Sequence, residues 1–309
     1  MNRHGFKQVG VLLGGPSAER DVSLRSGQAV ARGLRAAGYA VTAIDPAGPD
    51  FTLPAGLEAV FIALHGSFGE DGTVQAELER RGVPYTGSGP AASRRAFDKR
   101  LTREAFAAAG LPQPEGQILA PGARSALPLP CIVKPTRQGS SLGVSRVRVA
   151  AEWPAALAAA AQYEGEVLVE RYIPGRELTV GIVADEPLPV VEIFAPEGCY
   201  DYRAKYTRGL TRYETPARLT PAENETLQRL ALTAYHALGC RGLSRVDFRL
   251  SLDGQPYILE INTIPGFTET SLLPQAACAA GWLFEDLCAR IMETAAVDGG
   301  GRRPGEVQS

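Results

Sequence analysis

The sequence has little of what nucleic-acid-binding, membrane-spanning or disulfide-rich proteins need. Its 32 basic and 34 acidic residues leave a net charge of -2, too small for a strong field toward nucleic acid or an anionic membrane. No apolar run approaches the roughly 20 residues of a membrane span, and residues 1–7 lack the apolar core of a signal peptide. The five cysteines include no CxxC pair, which argues against a disulfide framework and against a zinc site. We therefore expect a cytoplasmic protein that binds small molecules.

What the chain does contain is enough apolar sequence for a large core. With 309 residues and 45% hydrophobic content, it should form roughly two or three domains. The first third alternates short apolar runs with helical patterns, which indicates a parallel α/β sheet. Ligands of such sheets lie beyond the carboxyl ends of the strands, so the loops at 14–19 and 65–71 should share a crevice. The predicted elements here are strands at 9–13, 39–44, 59–64 and 83–85 and helices at 22–37 and 74–81.

Proline-rich breakers at 110–114 and 121–130 mark a change of fold character. Beyond them the pattern is mixed, with an irregular segment at 195–216 and no visible internal repeat. Residues 298–309 have the glycine and polar content of a disordered tail. The predicted elements are helices at 99–109, 150–163 and 223–238, a last helix ending near 295, and strands at 131–134, 144–149, 167–172, 177–183, 188–194, 243–248 and 258–263.

The most informative feature is a polar set on the last two strands. Alternation along a strand puts Arg245 with Asp247, and Glu260 with Asn262, on one face if the strands pair. Oxygen ligands beside an arginine suit Mg²⁺ bound to nucleotide phosphates. The competing interpretation is an exposed polar sheet face. The residues predicted to pack on the opposite, apolar face are Val246, Phe248, Leu259 and Ile261.

A second set resembles a phosphate-binding loop. Lys134 ends a strand, and residues 136–143 supply two glycines together with Ser140 and Ser141. Glycine lets backbone N–H groups approach an anion, although the spacing is not the Walker GxxxxGK[ST] pattern. By itself, the loop fits a flexible hairpin as well as it fits a phosphate-binding loop. Together with the cation ligands it favours ATP.

Three further acidic or basic positions fit a nucleotide. Residues 170–173 end a strand, and Glu177 follows a bend, so a purine edge and a ribose would find backbone groups and a carboxylate there. An ordinary acidic turn is the alternative. Lys99, near a helix start, would reach a phosphate unless it is a solvated surface lysine.

The N-terminal crevice offers an acid and a histidine. Glu19 follows a glycine pair but would repel a phosphate, so an ammonium is the better ligand; a helix-capping acid is the alternative. His65, one of three histidines, lacks nearby metal-ligand partners and has either a hydrogen-bonding or a structural role.

Two loops complete the candidate site. Residues 200–206 are dense in aromatic and basic groups, which is typical of a lid, unless the tyrosines anchor the core. Residues 263–272 form a tight turn with free N–H groups and hydroxyls, ending at Ser271 and Leu272, directly after the cation ligands. Such a turn would receive an oxyanion or a carboxylate.

In order, these residues resemble one known family across nearly the whole chain. The motifs are VLLGGPSAERDVSLRSG, ALHGSFGEDGTVQ, PYTGSG, IVKPTRQGSSLGVS, YDYRAKY, SRVDF and LEINTIPGFTETSL. They are similar to those of bacterial D-alanine:D-alanine ligases of the ATP-grasp superfamily. The resemblance implies an α/β and α+β, ATP-grasp fold with an N-terminal parallel α/β (preATP-grasp) domain. Its expected limits are 1–95, 96–173 and 174–297, followed by the tail at 298–309.

The resemblance also implies an activity. Two D-alanines would be joined to D-alanyl-D-alanine at the expense of ATP, through an acyl phosphate, for peptidoglycan precursor synthesis. Two Mg²⁺ ions, with Mn²⁺ as a possible substitute, would assist, and a homodimer is the family's usual assembly. No nucleic acid or membrane partner is implied.

The resemblance assigns roles residue by residue. Glu19 would receive the ammonium of the first D-alanine with His65 nearby, and Arg245 with the Gly266 N–H would stabilise the oxyanion. Tyr206 would fasten the lid through Ser140 and Glu19, and its presence favours the dipeptide over D-alanyl-D-lactate. Lys205, Ser271 and Leu272 would bind the second D-alanine. The implied ATP-binding residues are Lys99, Lys134, Ser140, Ser141, Glu170, Arg171, Tyr172, Ile173 and Glu177, and the implied metal ligands are Asp247, Glu260 and Asn262.

Two departures and two rivals accompany this hypothesis. Arg171 and Tyr172 stand where relatives often carry Lys-Trp, and Cys199 stands where an aromatic residue can appear. A different ATP-grasp carboxylate-amine ligase would keep the ATP and metal residues but leave Glu19, Tyr206 and Ser271 unexplained. A non-catalytic nucleotide sensor would bind ATP without turnover.

Overall fold

Three β-sheets with their helices make up the protein. The computed structural model describes residues 5–120, 123, 125–163, 166–196 and 209–298. Throughout those residues, no helix combines the length and apolar character needed to cross a membrane.

The first sheet is parallel, as the sequence predicted. Its strand order is β2-β1-β3, and helices flank the strands on both faces. The elements are β1 (Gln8–Leu12), α1 (Arg20–Ala36), β2 (Ala40–Ile44), β3 (Ala59–Ile62) and α2 (Thr73–Arg81).

Helix α1 forms because its small and apolar residues repeat at helical spacing on one face. Ser23, Gly27, Val30 and Leu34 are all buried in this way. Glu19 occupies the N-cap position of this helix. Because the buried residues hold α1 against the sheet, they also fix where the Glu19 carboxylate lies. The loop before α1 is thereby held at the carboxyl end of β1.

The strand predicted at 83–85 is reduced to single bridges at Tyr85. This residue pairs with Val60 in parallel and with Ala296 in antiparallel orientation. The end of the chain therefore returns to the first sheet. Within the tail predicted to be disordered, only Asp298 is described; its N–H donates to Glu79 and its carboxylate accepts from Arg241.

The second sheet is antiparallel, with strand order β4-β7-β5-β6. The helix at Lys99–Ala108 precedes this sheet in the chain. Asp98 caps its N-terminus by accepting hydrogen bonds from the N–H groups of Arg100 and Leu101. The predicted helix at 150–163 begins as a short 3-10 turn, Ala150–Glu152. The elements are α3 (Pro90–Phe97), α4 (Lys99–Ala108), β4 (Gly116–Leu119), β5 (Cys131–Pro135), β6 (Ser145–Val147), α5 (Trp153–Ala161) and β7 (Val167–Arg171).

The third sheet is also antiparallel, with order β11-β10-β8-β12-β13 and β9 paired to β8. Its buried face packs on helix α6, which starts at a Thr220 and Glu223 capping box. Strand β11 lies inside the segment predicted to be irregular, so that prediction was wrong there. The elements are β8 (Gly175–Val183), β9 (Glu186–Pro187), β10 (Val191–Phe194), β11 (Arg212–Glu214), α6 (Pro221–Leu238), β12 (Leu243–Ser251) and β13 (Pro256–Asn262).

The last helix predicted from the sequence is two helices, α7 (Leu272–Ala279) and α8 (Phe284–Glu293). Gly281 lies between them with φ +83°, a left-handed conformation that glycine adopts easily and that ends a helix. Helix α8 packs closely on α1, since a Cβ at Gly33 would lie 2.9 Å from Cys288 Sγ. The first and third sheets thus share one core, and a cleft opens between them and the second sheet.

Candidate functional site

Two adjoining cavities contain the candidate residues. The large cleft, about 560 Å³, lies between Glu19 on α1, the 138–140 loop, strands β12 and β13, and the turn before α7. The small cavity lies between the second and third sheets and is lined by Lys134, residues 170–173 and Glu177. Lys99, Gln138 and Glu260 line both, so the two cavities meet at these three residues.

The polar residues of β12 and β13 are brought together by strand register. Asp247 lies directly opposite Glu260, and Arg245 opposite Asn262, so all four side chains share one face of the sheet. Asp247 is buried and accepts two 2.8 Å hydrogen bonds from Arg245 and one of 2.6 Å from Thr179. The arginine keeps this buried carboxylate paired and oriented.

The opposite face differs from the expectation at one position. A β-bulge follows Asp247, and the register moves so that Phe248 pairs with Ile258. Ile258 therefore enters the core beside Ile261, and Leu259 instead lines the small cavity. The prediction that Leu259 packs in the core was wrong, because a bulge interrupts the strict alternation on which it was based.

An acid between two cations forms the floor of the small cavity. Glu170 lies 2.6 Å from Lys134 Nζ and 2.7 Å from Arg103 Nη1, and its side chain is 4% exposed. In this arrangement the acid pairs with both cations and fixes the position of the Lys134 ammonium, while the cluster keeps one positive charge in excess. Sequence reasoning missed Arg103, which follows Lys99 by one helical turn on α4 and so faces the same side.

Lys99 lies where the cavities meet and is buried. Its ammonium donates to the Gln138 carbonyl at 2.7 Å and lies 3.6 Å from the Glu260 carboxylate. Burial lowers the pKa of Lys99, and the nearby Glu260 opposes that shift. The alternative of a solvated surface lysine is thereby excluded.

The serine loop has a strained backbone at two consecutive residues. Ser140 and Ser141 have φ of 49° and 56°, in the left-handed region that non-glycine residues rarely adopt. Ser140 faces the large cleft and donates a hydrogen bond to the Glu19 carboxylate, whereas Ser141 lines the small cavity. The loop therefore closes over the junction of the two cavities from the second sheet.

The two N-terminal loops share a crevice, as predicted. The Ser17 hydroxyl donates to the His65 carbonyl at 2.5 Å. Gly66 has φ +75°, and a Cβ there would lie 2.7 Å from the Glu19 carboxylate, so a side chain at this position would displace that acid. Glu19 is consequently held at the wall of the large cleft.

His65 is a buried link between this crevice and the turn before α7. Its Nδ1 lies 3.3 Å from Glu70 Oε1 and its Nε2 3.2 Å from Ser26 Oγ. The same Ser26 hydroxyl accepts the Phe267 N–H. His65 thus orients the backbone next to Gly266 and lines the cleft at the same time.

The turn at 263–272 presents the N-terminus of α7 to the large cleft. Ser271 is the N-cap of α7, and its hydroxyl accepts the Thr268 N–H at 2.9 Å. Gly266, Ser271 and Leu272 all line the cleft. A helix N-terminus with unpaired N–H groups is a favourable place for a carboxylate.

The bend after β7 lines the small cavity with Arg171, Tyr172, Ile173 and Glu177. The exposed Arg171 side chain reaches the Tyr257 hydroxyl at 3.5 Å. Glu177 is paired with Arg249, a buried residue of β12 that sequence reasoning missed. Arg249 lies two residues beyond Asp247, so extending the alternation of Arg245 and Asp247 along the strand would have identified it. The other lining residues of this cavity that the sequence did not single out are Pro114, Ile132, Pro135, Gln138, Leu142 and Val144.

Lys205 and Tyr206 lie outside the described residues, as do Cys199 and the whole predicted lid at 200–206. Where the described chain resumes after it, Gly209, Thr211 and Tyr213 line the large cleft.

Comparison with known proteins identifies the family. The sequence family described as D-ala D-ala ligase C-terminus matches residues 112–293, and D-ala D-ala ligase N-terminus matches residues 49–88. A D-alanine-D-alanine ligase of Methylacidiphilum infernorum is 46% identical over 93% of this chain and 95% of its own length. The chain belongs to the D-alanine-D-alanine ligase family. A relative of the same name from Azoarcus sp. is 48% identical over 93% of this chain and 97% of its own.

A solved ligase of this family has the same fold. The D-alanine-D-alanine ligase of Bacillus anthracis complexed with ATP superposes with a TM-score of 0.82 at 33% identity, covering 94% of this chain and 97% of its own. The ATP-grasp fold expected from the motifs is therefore confirmed. Glu19 and Lys99 lie outside both stretches matched by the ligase family, so their assignment depends on the contacts described above.

Proposed function

We propose that the protein joins two D-alanines into D-alanyl-D-alanine and converts ATP to ADP and phosphate, supplying a peptidoglycan precursor. The observation that carries the proposal is the junction of the two cavities at Lys99, Gln138 and Glu260. A nucleotide in the small cavity would direct its phosphates toward an amino acid in the large cleft. Membership of the ligase family supports the same activity.

The small cavity suits a nucleotide because its lining combines apolar side chains, backbone polar groups and charged groups. Apolar side chains offer contact to a flat base, the bend at 170–173 offers backbone groups, and Glu177 offers a carboxylate to the ribose. Lys99 and Lys134 supply positive charge for the phosphates, with Ser140 and Ser141 above them. The apolar side chains are Ile132, Leu142, Val144, Ile173 and Leu259.

Asp247, Glu260 and Asn262 have the oxygen donors that Mg²⁺ prefers. Among the described residues no three acidic, histidine or cysteine side chains gather as a metal cluster, so Asn262 and the substrate phosphates would complete the ligand set. Two Mg²⁺ ions, or Mn²⁺ in their place, would neutralise charge on the transferred phosphoryl group.

The reaction needs an activated carboxylate. Phosphoryl transfer to the carboxylate of the first D-alanine gives an acyl phosphate, and the amine of the second D-alanine then displaces phosphate. Glu19 would hold the first ammonium, and Ser271 with Lys205 the second carboxylate. Arg245 and the Gly266 N–H would stabilise the tetrahedral oxyanion. Tyr206 and the segment around it would close the site against water, which would otherwise hydrolyse the acyl phosphate.

The proposal also covers the domain limits, the assembly and the location of the protein. The three sheets support a division into domains at 1–95, 96–173 and 174–297. A homodimer is proposed from the family, and the use of ATP supports a cytoplasmic location.

A product assay tests the function. The protein is incubated with ATP, Mg²⁺ and equal amounts of D-alanine and D-lactate, and products are identified by mass spectrometry. D-Ala-D-Ala, formed with one phosphate per dipeptide and only when D-alanine is present, is the expected result. Ligation of another amine to a carboxylate would favour the rival ligase, and ATP binding without phosphate release would favour the sensor.

A further inference from the structure

Arg249 is the buried arginine of the small cavity, and it contacts the nucleotide-binding bend at several points. Its side chain is 7% exposed. It donates from Nε to the Ile173 carbonyl at 3.1 Å and from Nη2 to the Gly175 carbonyl at 2.9 Å. It also donates from Nη1 to the Glu177 carboxylate at 3.1 Å. One guanidinium therefore joins the backbone and the acid of this bend.

The same guanidinium also orients Tyr172. Its Nη2 lies 3.4 Å from the Tyr172 hydroxyl, and its central carbon lies 5.5 Å from the centre of the ring. The guanidinium of Arg146 lies over the same ring at 3.7 Å. The ring of Tyr172 thus contacts two arginines at the wall of the small cavity.

Strand register makes this arrangement rigid. Arg249 lies directly opposite Glu177 in the β12 and β8 pairing, and two residues beyond Asp247 on the same strand. Residues two apart on a strand point to the same side, so Arg249 and Asp247 face the nucleotide together. The predicted metal site and the bend at 170–177 are connected through one strand.

We infer that Arg249 is a positioning residue for ATP, which holds the Glu177 carboxylate and the Tyr172 ring where they meet the ribose and the base. This inference rests on the proposed nucleotide site but not on the identity of the amino-acid substrate. A carboxylate fixed in advance binds a hydroxyl at a lower entropic cost than a mobile one. Arg249 therefore sets how well the site distinguishes a nucleotide that carries ribose hydroxyls from one that lacks them.

The test measures equilibrium binding of ATP and of 2′,3′-dideoxy-ATP by calorimetry, without D-alanine. The unmodified protein should bind ATP about tenfold more tightly, because hydrogen bonds to a charged group are lost with the dideoxy nucleotide. In Arg249→Met, ATP binding should weaken about tenfold and the preference should nearly vanish. Arg249→Lys keeps the charge, but its donors lie on one nitrogen and cannot reproduce the planar fork that reaches two carbonyls and the carboxylate, so it should recover only part of the preference.

Arg176→Met is the matched control. Arg176 precedes Glu177 on β8, points to the other side of the sheet, and pairs with Glu192 through hydrogen bonds of 2.8 and 2.5 Å. The Arg176→Met variant loses an arginine-glutamate pair of the same sheet, but Arg176 does not line the small cavity. The affinities for ATP and for 2′,3′-dideoxy-ATP should therefore both stay unchanged. A second check compares the Glu177→Gln variant with the double variant that also carries Arg249→Met. Because Arg249 acts by holding the Glu177 carboxylate, the double variant should lose little more of the preference for ATP.

Two results would overturn the inference: an unchanged preference in Arg249→Met, whether or not both nucleotides bind more weakly, or no preference in the unmodified protein. If Arg249→Met does not fold, Arg249→Lys decides, and a full preference there would also reject the positioning role. Failure of the protein to ligate D-alanine, with these binding results intact, would reject the proposed function alone.

Discussion

Glu170 and Lys134 form a buried ion pair, with 2.6 Å between the carboxylate and the ammonium and both side chains less than 10% exposed. Arg103 contacts the same carboxylate from α4. One negative charge thus lies between two positive charges inside the second sheet and its helix, and the cluster keeps one positive charge in excess. Removing the negative charge leaves two cations facing each other in a region with little water.

Glu170→Gln should therefore destabilise the protein by about 3 to 5 kcal/mol, the usual cost of leaving a buried charge without its partner. Urea denaturation followed by tryptophan fluorescence measures this, because Trp153 lies on α5 beside the same sheet. Glu166→Gln is the control. Its 3.5 Å pair with Arg100 is largely exposed, so the loss should stay below about 1 kcal/mol. Equal losses for the two variants would contradict the burial argument.

Asp247→Asn should abolish D-alanine-dependent phosphate release, since it removes one of two acidic ligands proposed for Mg²⁺. The thermal stabilisation that Mg²⁺ adds in the presence of ADP should be lost with it. Asp253→Asn, on the exposed turn that follows the same strand, should retain both properties. Full Mg²⁺-dependent turnover in Asp247→Asn would exclude this site as the metal centre.

Gly266→Ala should raise the KM for the second D-alanine by roughly tenfold and leave the KM for ATP unchanged. An added Cβ would lie 2.8 Å from Ser271 Oγ and push this hydroxyl away from the place proposed for the substrate carboxylate. Gly48→Ala meets no atom within 4 Å and should behave as the unmodified protein. Steady-state kinetics with each substrate varied separates the two constants, and a change confined to ATP would count against the assignment.

Thiol reactivity should follow burial. Cys278 is exposed, whereas burial raises the pKa of Cys240 to about 11 and that of Cys288 to about 12. At about pH 8, alkylation mapped by mass spectrometry should label Cys278 and leave the other two intact until urea is added. Rapid labelling of Cys288 in the folded protein would contradict its packing against α1.

The same shift has a consequence for stability at alkaline pH. The unfolded Cys288 thiol ionises near its ordinary pKa of 9.0, but the folded one only near 12. Its stabilising contribution is therefore complete below pH 9.0 and is lost as the pH rises from there toward about 12. Cys288→Ala should show a smaller loss of unfolding free energy over this interval than the unmodified protein.

The placement of several candidate site residues on one face could be predicted from the sequence, because they lie on regular strands. Arg245, Asp247, Glu260 and Asn262 alternate with apolar residues, and alternation alone brings them to one face. Leu259 was misplaced because a bulge depends on how two strands pair, which no single strand reveals.

Other features need the packed structure. Helix α3 is a single short element before Asp98, with no long apolar period to predict it. The division of α7 from α8 was foreseeable from Gly281, but the alanine-rich surroundings favour a continuous helix. Arg103 acts through a contact 67 residues away in sequence, so its role appears only when α4 lies against β7.

Strand β12 carries Arg245, Asp247 and Arg249 on one continuous backbone. At roughly 3.3 Å per residue, about 13 Å separates the first guanidinium-bearing position from the last. The strand therefore fixes the distance between the position proposed for the reacting groups and the position proposed for the base. Because one strand sets this spacing, the distance between Arg245 and Arg249 does not depend on the conformation of the loops around the two cavities.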